Sequence, residues 1–271
     1  MPSWVNGAPG EQLPVRDRGL AYGDGLFETI ALRGGRIPLL ARHLARLAEG
    51  CRRLAIPLDL ALMESELQAF AGQLGEGVAK LIVTRGEGQR GYAPPQPCQP
   101  LRILQAAPLP QYPAAHAEQG VRLFPCVTRL AEQPLLAGLK HLNRLEQVLA
   151  RAEWQDAEHA EGLMCDASGR VIEGVYSNLF LVRGGALLTA ELSRCGVAGV
   201  MRAELLEQAR ALGVPVEVRD IGHDELLAAD EVFLCNSLYG IWPVRALQAQ
   251  HWPVGPLTRK LQTIVRDLLD I

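Results

Sequence analysis

Of the 27 basic residues in this chain of 271, only Lys80, Lys140 and Lys260 are lysine, leaving 24 arginines. Arginine stays protonated at physiological pH, so amine chemistry, as nucleophile or as base, falls to three positions. Lys80 lies inside a strand pattern and Lys260 beside Arg259 near the start of the last helix pattern, both settings of solvated surface charge. Lys140 stands in Gly138-Leu139-Lys140-His141-Leu142-Asn143, between a turn signal and the expected start of a helix. There the positive helix end and burial beside leucines are expected to draw its pKa from about 10.4 toward neutrality. A lysine shifted in that way serves as nucleophile and base. A surface lysine ahead of a helix would read the same from these six residues alone.

Two other patterns are weaker. Gly86-Glu87-Gly88-Gln89-Arg90-Gly91 matches GxGxxG after a strand pattern, but Tyr92-Ala93-Pro94-Pro95-Gln96-Pro97 follows, and no helix starts there to offer N–H groups to a pyrophosphate. A dinucleotide site is therefore rejected, and no GxxxxGK[ST] phosphate loop occurs. The cysteines at 51, 98, 126, 165, 195 and 235 are at least 28 residues apart. No CxxC pair exists, no metal site is expected, and buried free thiols are the expectation.

Composition sets the class of ligand. Apolar residues make up 48% and charged residues 21%, with a net charge of -3 and a pI near 6.1. This is a globular composition, with no global electrostatic reason to bind nucleic acid or an anionic membrane, so a small molecule is expected. Met1 to Gly7 lacks the basic and apolar signature of a secretion signal, which makes a cytoplasmic protein the expectation.

The elements that must position these residues follow from periodicity. Leu40, Leu44, Leu47, Cys51 and Leu54 mark a helix after Pro38, and Leu60, Met63, Leu67 and Phe70 a second, capped by Asp59 and running to about Gln73. Val78 to Thr84 and Leu101 to Ala106 read as strands. Pro108, Pro110 and Pro113 crowd a short stretch, which predicts a linker over 108–116 between an N-terminal domain, 1–107, and a C-terminal domain, 117–271. Beyond it, Val121 to Val127 reads as a strand and Leu142, Leu145, Leu149 and Ala152 as a helix. Asp166 to Gly169 reads as a hairpin turn returning through Val171 to Glu173, and Asn178 to Val182 as an extended run. Helix and strand then alternate through Met201 to Leu212, Val214 to Val218, Asp224 to Ala229 and Val232 to Cys235, with a last helix from about Leu257. The chain is of mixed α/β or α+β class.

Three segments together go further: Glu173-Gly174-Val175-Tyr176-Ser177-Asn178-Leu179-Phe180, then Leu187-Leu188-Thr189, then Val197-Ala198-Gly199-Val200-Met201-Arg202. Their spacing resembles the signature of the fold-type IV pyridoxal-phosphate enzymes, the class-IV aminotransferase family. The one departure, Val175 where that family usually has a small residue, bears on local packing. Gly138 to Leu149 resembles the version around the lysine of aminodeoxychorismate lyases, and Asp17-Arg18-Gly19-Leu20-Ala21-Tyr22-Gly23-Asp24-Gly25-Leu26-Phe27-Glu28-Thr29 resembles the family's N-terminal segment. The resemblance spans nearly the whole chain.

The resemblance implies a small N-terminal α/β domain, a larger C-terminal α/β domain that binds pyridoxal 5'-phosphate, and a homodimer. It implies that Lys140 carries the cofactor and that Glu173 pairs with its pyridine nitrogen. The phosphate would be received by the N–H groups of Val200 and Met201 at a helix start, by Arg46, and less firmly by Ser237. Arg46 would otherwise read as a solvated charge on the far face of its helix, and Ser237 as a turn serine. Branched-chain aminotransferases place a tyrosine shortly after the lysine, whereas Leu145 stands here within a helix pattern. Similarity therefore implies a lyase acting on 4-amino-4-deoxychorismate. Its carboxylates call for fixed cations, and Arg90 is the candidate for one, with Tyr92 beside it and Thr29 as a nearby polar group for the substrate, although Arg90 would also read as a loop surface charge. A branched-chain or D-amino-acid aminotransferase is the alternative, and a non-catalytic scaffold on the same fold the second.

Overall fold

The computed structural model describes residues Met1 to Ile271 and divides into two units, Met1–Pro110 with Leu139–Asn143, and Gln111–Gly138 with Arg144–Ile271. The first unit contains β1 (Ser3–Val5), β2 (Ala8–Pro9), α1 (Arg18–Tyr22), β3 (Gly25–Leu32), α2 (Leu40–Arg53), α3 (Leu60–Leu74), β4 (Gly77–Thr84) and β5 (Leu101–Ala107). Its five strands form an antiparallel sheet in the order β2-β1-β5-β4-β3. Both helices read from periodicity are present. Asp59 caps α3 by accepting from the Leu62 N–H, which satisfies one of the donors that a helix start leaves open.

The core of this unit lies between the sheet and the two helices. Leu44, Leu47 and Cys51 of α2 and Met63, Leu67 and Phe70 of α3 pack with Ile30, Leu81, Val83 and Leu104 of the strands. Phe70 is completely buried and meets the Trp4 ring edge-on at 5.3 Å. Strand β3 has no counterpart among the elements read from the sequence. Glu28 and Thr29 break its apolar run, and both have partners that lie far away in sequence.

The second unit contains α4 (Ala114–Glu118), β6 (Val121–Leu130), α5 (Leu145–Arg151), β7 (His159–Asp166), β8 (Val171–Gly174), β9 (Asn178–Arg183), β10 (Ala186–Ala190), α6 (Val200–Ala211), β11 (Val216–Arg219), α7 (His223–Leu227), β12 (Glu231–Asn236), β13 (Gly240–Leu247), β14 (Gln250–His251) and α8 (Pro256–Leu269). A nine-stranded mixed sheet runs β11-β10-β9-β12-β13-β6-β7-β8, with β14 beside β13. Strand β8 also pairs with β9 through Glu173 and Asn178, so the sheet closes on itself as the ring β9-β12-β13-β6-β7-β8. Fully buried Leu123, Leu181, Leu234 and Val244 belong to the core of this ring.

Two expectations are corrected here. The helix expected from Leu142 starts at Leu145, so Lys140 does not stand directly at its start, where the helix dipole acts. Leu145 and Leu149, expected to face inward, are 75% and 60% exposed. The helical period is real, but its apolar stripe is not buried within the chain.

Replacing Phe70 by Ala removes a ring from a fully packed site. Phe70→Ala is expected to lower the unfolding free energy by about 3–5 kcal/mol, read as a shifted midpoint in denaturant with secondary structure unchanged below it.

Candidate active site

In the first unit, the segment that carries Lys140 lies along the free edge of β3. Phe27 N–H donates to the Lys140 carbonyl at 2.9 Å, Leu142 N–H donates to the Gly25 carbonyl at 3.0 Å, and Leu26 bridges His141. Leu139 is 2% exposed and anchors the segment in the core. Lys140 is therefore set by sheet hydrogen bonds, and its Nζ stands 4.4 Å from the centroid of the Phe27 ring. An ammonium over an aromatic face at that distance is attracted by the ring quadrupole. Thr29, two residues along β3 from Phe27, shares its face of the strand and is partly buried.

Between Phe27 and Thr29, Glu28 points to the opposite face and is 1% exposed. Its carboxylate accepts from Arg46 Nε at 2.8 Å, from Arg46 Nη2 at 2.5 Å and from His43 Nδ1 at 2.6 Å. Burial alone would raise the Glu28 pKa. The Arg46 charge and the hydrogen bonds from both neighbours outweigh it and hold the carboxyl at about 2. Burial likewise lowers His43, against the pull of Glu28, and Arg46 and Lys140 lower it further. His43 is thus neutral, with its proton on the Nδ1 that faces the carboxylate. Arg46 is not the solvated charge that its helix position alone would suggest. Its side chain is 14% exposed and borders the buried stripe of α2. Sequence reading did not single out Glu28 or His43. Their signal was an unexplained acid in a strand and an unexplained histidine three residues before Arg46.

Arg90 and Tyr92 stand on the loop between β4 and β5. Both are exposed, Tyr92 at 85%, with the Tyr92 ring 5.5 Å from that of Tyr22.

The second unit holds Glu173, Val200, Met201 and Ser237. Glu173 on β8 is 3% exposed and accepts from the Val197 N–H at 2.9 Å and from Asn178 Nδ2 at 3.3 Å. Asn178 Nδ2 also donates to the Val197 carbonyl at 2.9 Å, so one amide fixes both the acid and the approach to α6. Val200 and Met201 are the first two residues of α6, a helix of 12 residues whose N-cap is Gly199 and whose start has no side-chain cap. A Cβ on Gly199 would collide with Asn178 Oδ1, so only glycine lets the chain pass here. At the third residue of the helix, buried Arg202 donates to the Ala190 carbonyl at 2.8 Å and to Thr189 Oγ1 at 3.3 Å, tying the helix start to β10. Ser237 sits in the turn after β12, where Asn236 Oδ1 accepts from the N–H groups of Leu238 and Tyr239.

Glu161, also missed from sequence, lies beneath the turn that follows Glu173. It is fully buried and accepts from Ser177 Oγ at 2.7 Å and from the N–H groups of Gly162, Val175 and Tyr176. Burial nevertheless raises its pKa to about 7. Arg144, half-hidden, is lowered by burial and pulled back by the charges of Glu173 and Glu146.

An antiparallel five-stranded unit carrying the lysine segment, with a closed mixed sheet presenting a buried acid and an open helix start, defines the fold-type IV class of pyridoxal-phosphate enzymes. Residues 25–247 match the Amino-transferase class IV family, and the chain belongs to it. It is similar to the crystal structure of 4-amino-4-deoxychorismate lyase from Pseudomonas aeruginosa, with 69% identity, a TM-score of 0.98, and coverage of 99% of this chain and 100% of that one. It is 39% identical over 265 residues to the aminodeoxychorismate lyase of Vibrio harveyi, covering 96% of this chain and 97% of the relative. The D-alanine aminotransferase of Bacillus licheniformis is 28% identical over 262 residues, covering 93% and 90%.

The low pKa of Glu28 has a sign. The unfolded carboxyl titrates near 4.5 and the folded one near 2, so its contribution is complete above about pH 4.5 and drains away toward pH 2. Acid denaturation of the wild type should show a loss on the order of 3 kcal/mol across that window. Glu28→Gln should be less stable at neutral pH and flatter through it, as followed by denaturant midpoints at stepped pH.

Proposed function

We propose that the protein is a pyridoxal 5'-phosphate-dependent lyase that converts 4-amino-4-deoxychorismate to 4-aminobenzoate and pyruvate, a step that supplies folate synthesis. The observation that carries this reading is the 69% identity, over the length of both chains, to the Pseudomonas aeruginosa lyase.

The residues fit the cofactor. The uncapped start of α6, with no room for a Cβ at Gly199, offers the Val200 and Met201 N–H groups to a phosphate at the positive helix end. Arg46, already held by Glu28, adds a fixed guanidinium, and Ser237 a hydroxyl. Glu173 keeps a proton at the pyridine nitrogen, and the Val197 and Asn178 donors keep its carboxylate in place. When bound, the cofactor supplies an electron sink for charge developing at the substrate carbon. Lys140 would hold the cofactor through Nζ. The same Nζ would take the proton from the substrate carbon that bears the amine. Loss of the enolpyruvyl group as pyruvate makes the ring aromatic. Arg90 would receive one of the substrate's carboxylates, with Tyr92 and Thr29 as further substrate-binding groups.

The domains proposed are 1–107 and 117–271, joined by a linker at 108–116. The proposed assembly is a homodimer. Leu145, Val148 and Leu149 of α5 are 59 to 75% exposed, with Leu135 at 78%, an apolar face that a second copy would cover. Six free cysteines suit a cytoplasmic protein, and no helix is long and apolar enough to cross a membrane.

Purified protein given aminodeoxychorismate and no keto acid should release pyruvate and 4-aminobenzoate in equal amounts over many turnovers. Lys140→Ala should abolish both turnover and the visible absorbance of the bound cofactor, while Glu173→Gln should keep cofactor and turn over more slowly. Sustained amino transfer from D-alanine or leucine to a keto acid, with no 4-aminobenzoate formed, would replace the lyase reading with an aminotransferase.

For the assembly, Leu149→Lys should shift the protein from dimer toward monomer in sedimentation velocity. A wild type that sediments as a monomer at micromolar concentration defeats the proposal.

A further inference from the structure

The Gly86-Glu87-Gly88-Gln89-Arg90-Gly91 segment, rejected as a dinucleotide loop, is wound around one buried side chain. Arg18 is 4% exposed, and its guanidinium donates to the carbonyls of Gly91 at 3.1 Å, Tyr92 at 2.9 Å and Ala93 at 3.3 Å. Its Nε donates to Asp24 Oδ2 at 2.9 Å, a carboxylate it shares with Arg85. Four of the five N–H donors a guanidinium carries are thus spent, three of them on consecutive main-chain carbonyls.

Each glycine has a place in the winding. Gly86 adopts φ +85°, where a Cβ would collide with the Gln99 carbonyl. Gly88 lies against the Arg18 stem, and a Cβ there would sit 2.8 Å from Arg18 Cδ. Gly91 adopts φ +109°, which turns its carbonyl toward the guanidinium and is open only to glycine at low strain. Tyr22 closes the other side. The Arg18 guanidinium carbon is 4.9 Å from its ring centroid, and its hydroxyl accepts from the Gly91 N–H at 3.3 Å.

We propose that Arg18 is the positioning residue of the loop bearing Arg90 and Tyr92, and through it a determinant of affinity for the dicarboxylate substrate. This rests on the reading of Arg90 and Tyr92 as substrate-holding residues. Without the guanidinium, three adjacent carbonyls lose their donors, and the main chain from 91 to 93 keeps only the Gly91 N–H bond to the Tyr22 hydroxyl. Lysine cannot replace it, because an ammonium is a point donor that cannot span three carbonyls in a plane while also meeting Asp24. Arg18 touches no reacting group, so its loss acts on substrate capture and leaves the lysine chemistry intact.

Arg18→Lys in the cofactor-loaded enzyme is expected to raise KM for aminodeoxychorismate about ten-fold with kcat within about two-fold, the pattern of lost ground-state binding. Gly88→Ala, which crowds the Arg18 stem from the loop side, should raise KM in the same way if the first variant folds poorly. In an Arg90→Ala background, Arg18→Lys should add little to KM, because the effect runs through Arg90. Limited trypsin digestion, read by mass at the Arg90–Gly91 bond, should cut Arg18→Lys faster than wild type. An unchanged KM, full additivity with Arg90→Ala, or cleavage at the wild-type rate overturns the proposal. A wild type that makes no 4-aminobenzoate defeats only the proposed reaction, since the digestion needs no substrate and then decides the loop claim.

Discussion

A carboxylate taken out of water must be met by donors fixed in advance, and that requirement organises both units. Removing an ion from water costs several kcal/mol unless hydrogen bonds replace the lost hydration. Glu173 meets this with one backbone N–H and one amide, and both come from segments that also define the start of α6. Glu28 meets it with a guanidinium and an imidazole from a single helix face. Glu161 has four neutral donors and no cation, and its pKa rises where that of Glu28 falls. The contrast shows what decides the sign: hydrogen bonds alone do not offset full burial, whereas an adjacent charge does.

The same logic explains why arginine rather than lysine fills the interior. Arg18, Arg85 and Arg202 each reach main-chain carbonyls, and Arg18 and Arg85 share Asp24 as counter-ion. A planar fork can satisfy several acceptors at once and stays charged when buried, so it serves as a structural clamp for loops that lack a ladder of their own. Of the three lysines, Lys80 lies within β4 and Lys260 within α8, whereas Lys140 stands on a segment of neither kind, held by main-chain hydrogen bonds along the edge of β3.

What could be read from the sequence was local. The α2, α3, α6 and α8 periods, the Asp59 cap and the Asp166 turn are carried by neighbouring residues, and the structure contains them. Strand β3 and the strand Gly240–Leu247 were not among the elements read, because their burial is set by partners far along the chain. Arg46 looked solvated for the same reason: Glu28, 18 residues earlier, is what draws it in. The signature segments stood out because their chemistry is compressed into short runs. The supports of those runs, Asn178, Arg202 and Glu161, acquire meaning only once β8 and β9 are paired.

This division bears on how one fold hosts more than one reaction. The chain is 39% identical to a lyase and 28% identical to a D-alanine aminotransferase, each across most of its length. An amine, a buried acid and a helix start serve either chemistry, since both need the cofactor held and its ring nitrogen protonated. Choice between them has to come from groups that see the substrate and not the cofactor. In the first unit the proposed Arg90 and Tyr92 stand on the loop clasped by Arg18, a segment with no strand or helix of its own, and the proposed Thr29 stands on β3. A loop held by one internal guanidinium can change the residues it displays without disturbing the sheet that carries the lysine. On the proposed assignment, the part of specificity carried by Arg90 and Tyr92 has a support separate from that of the lysine, which would let the first diverge while the second is kept.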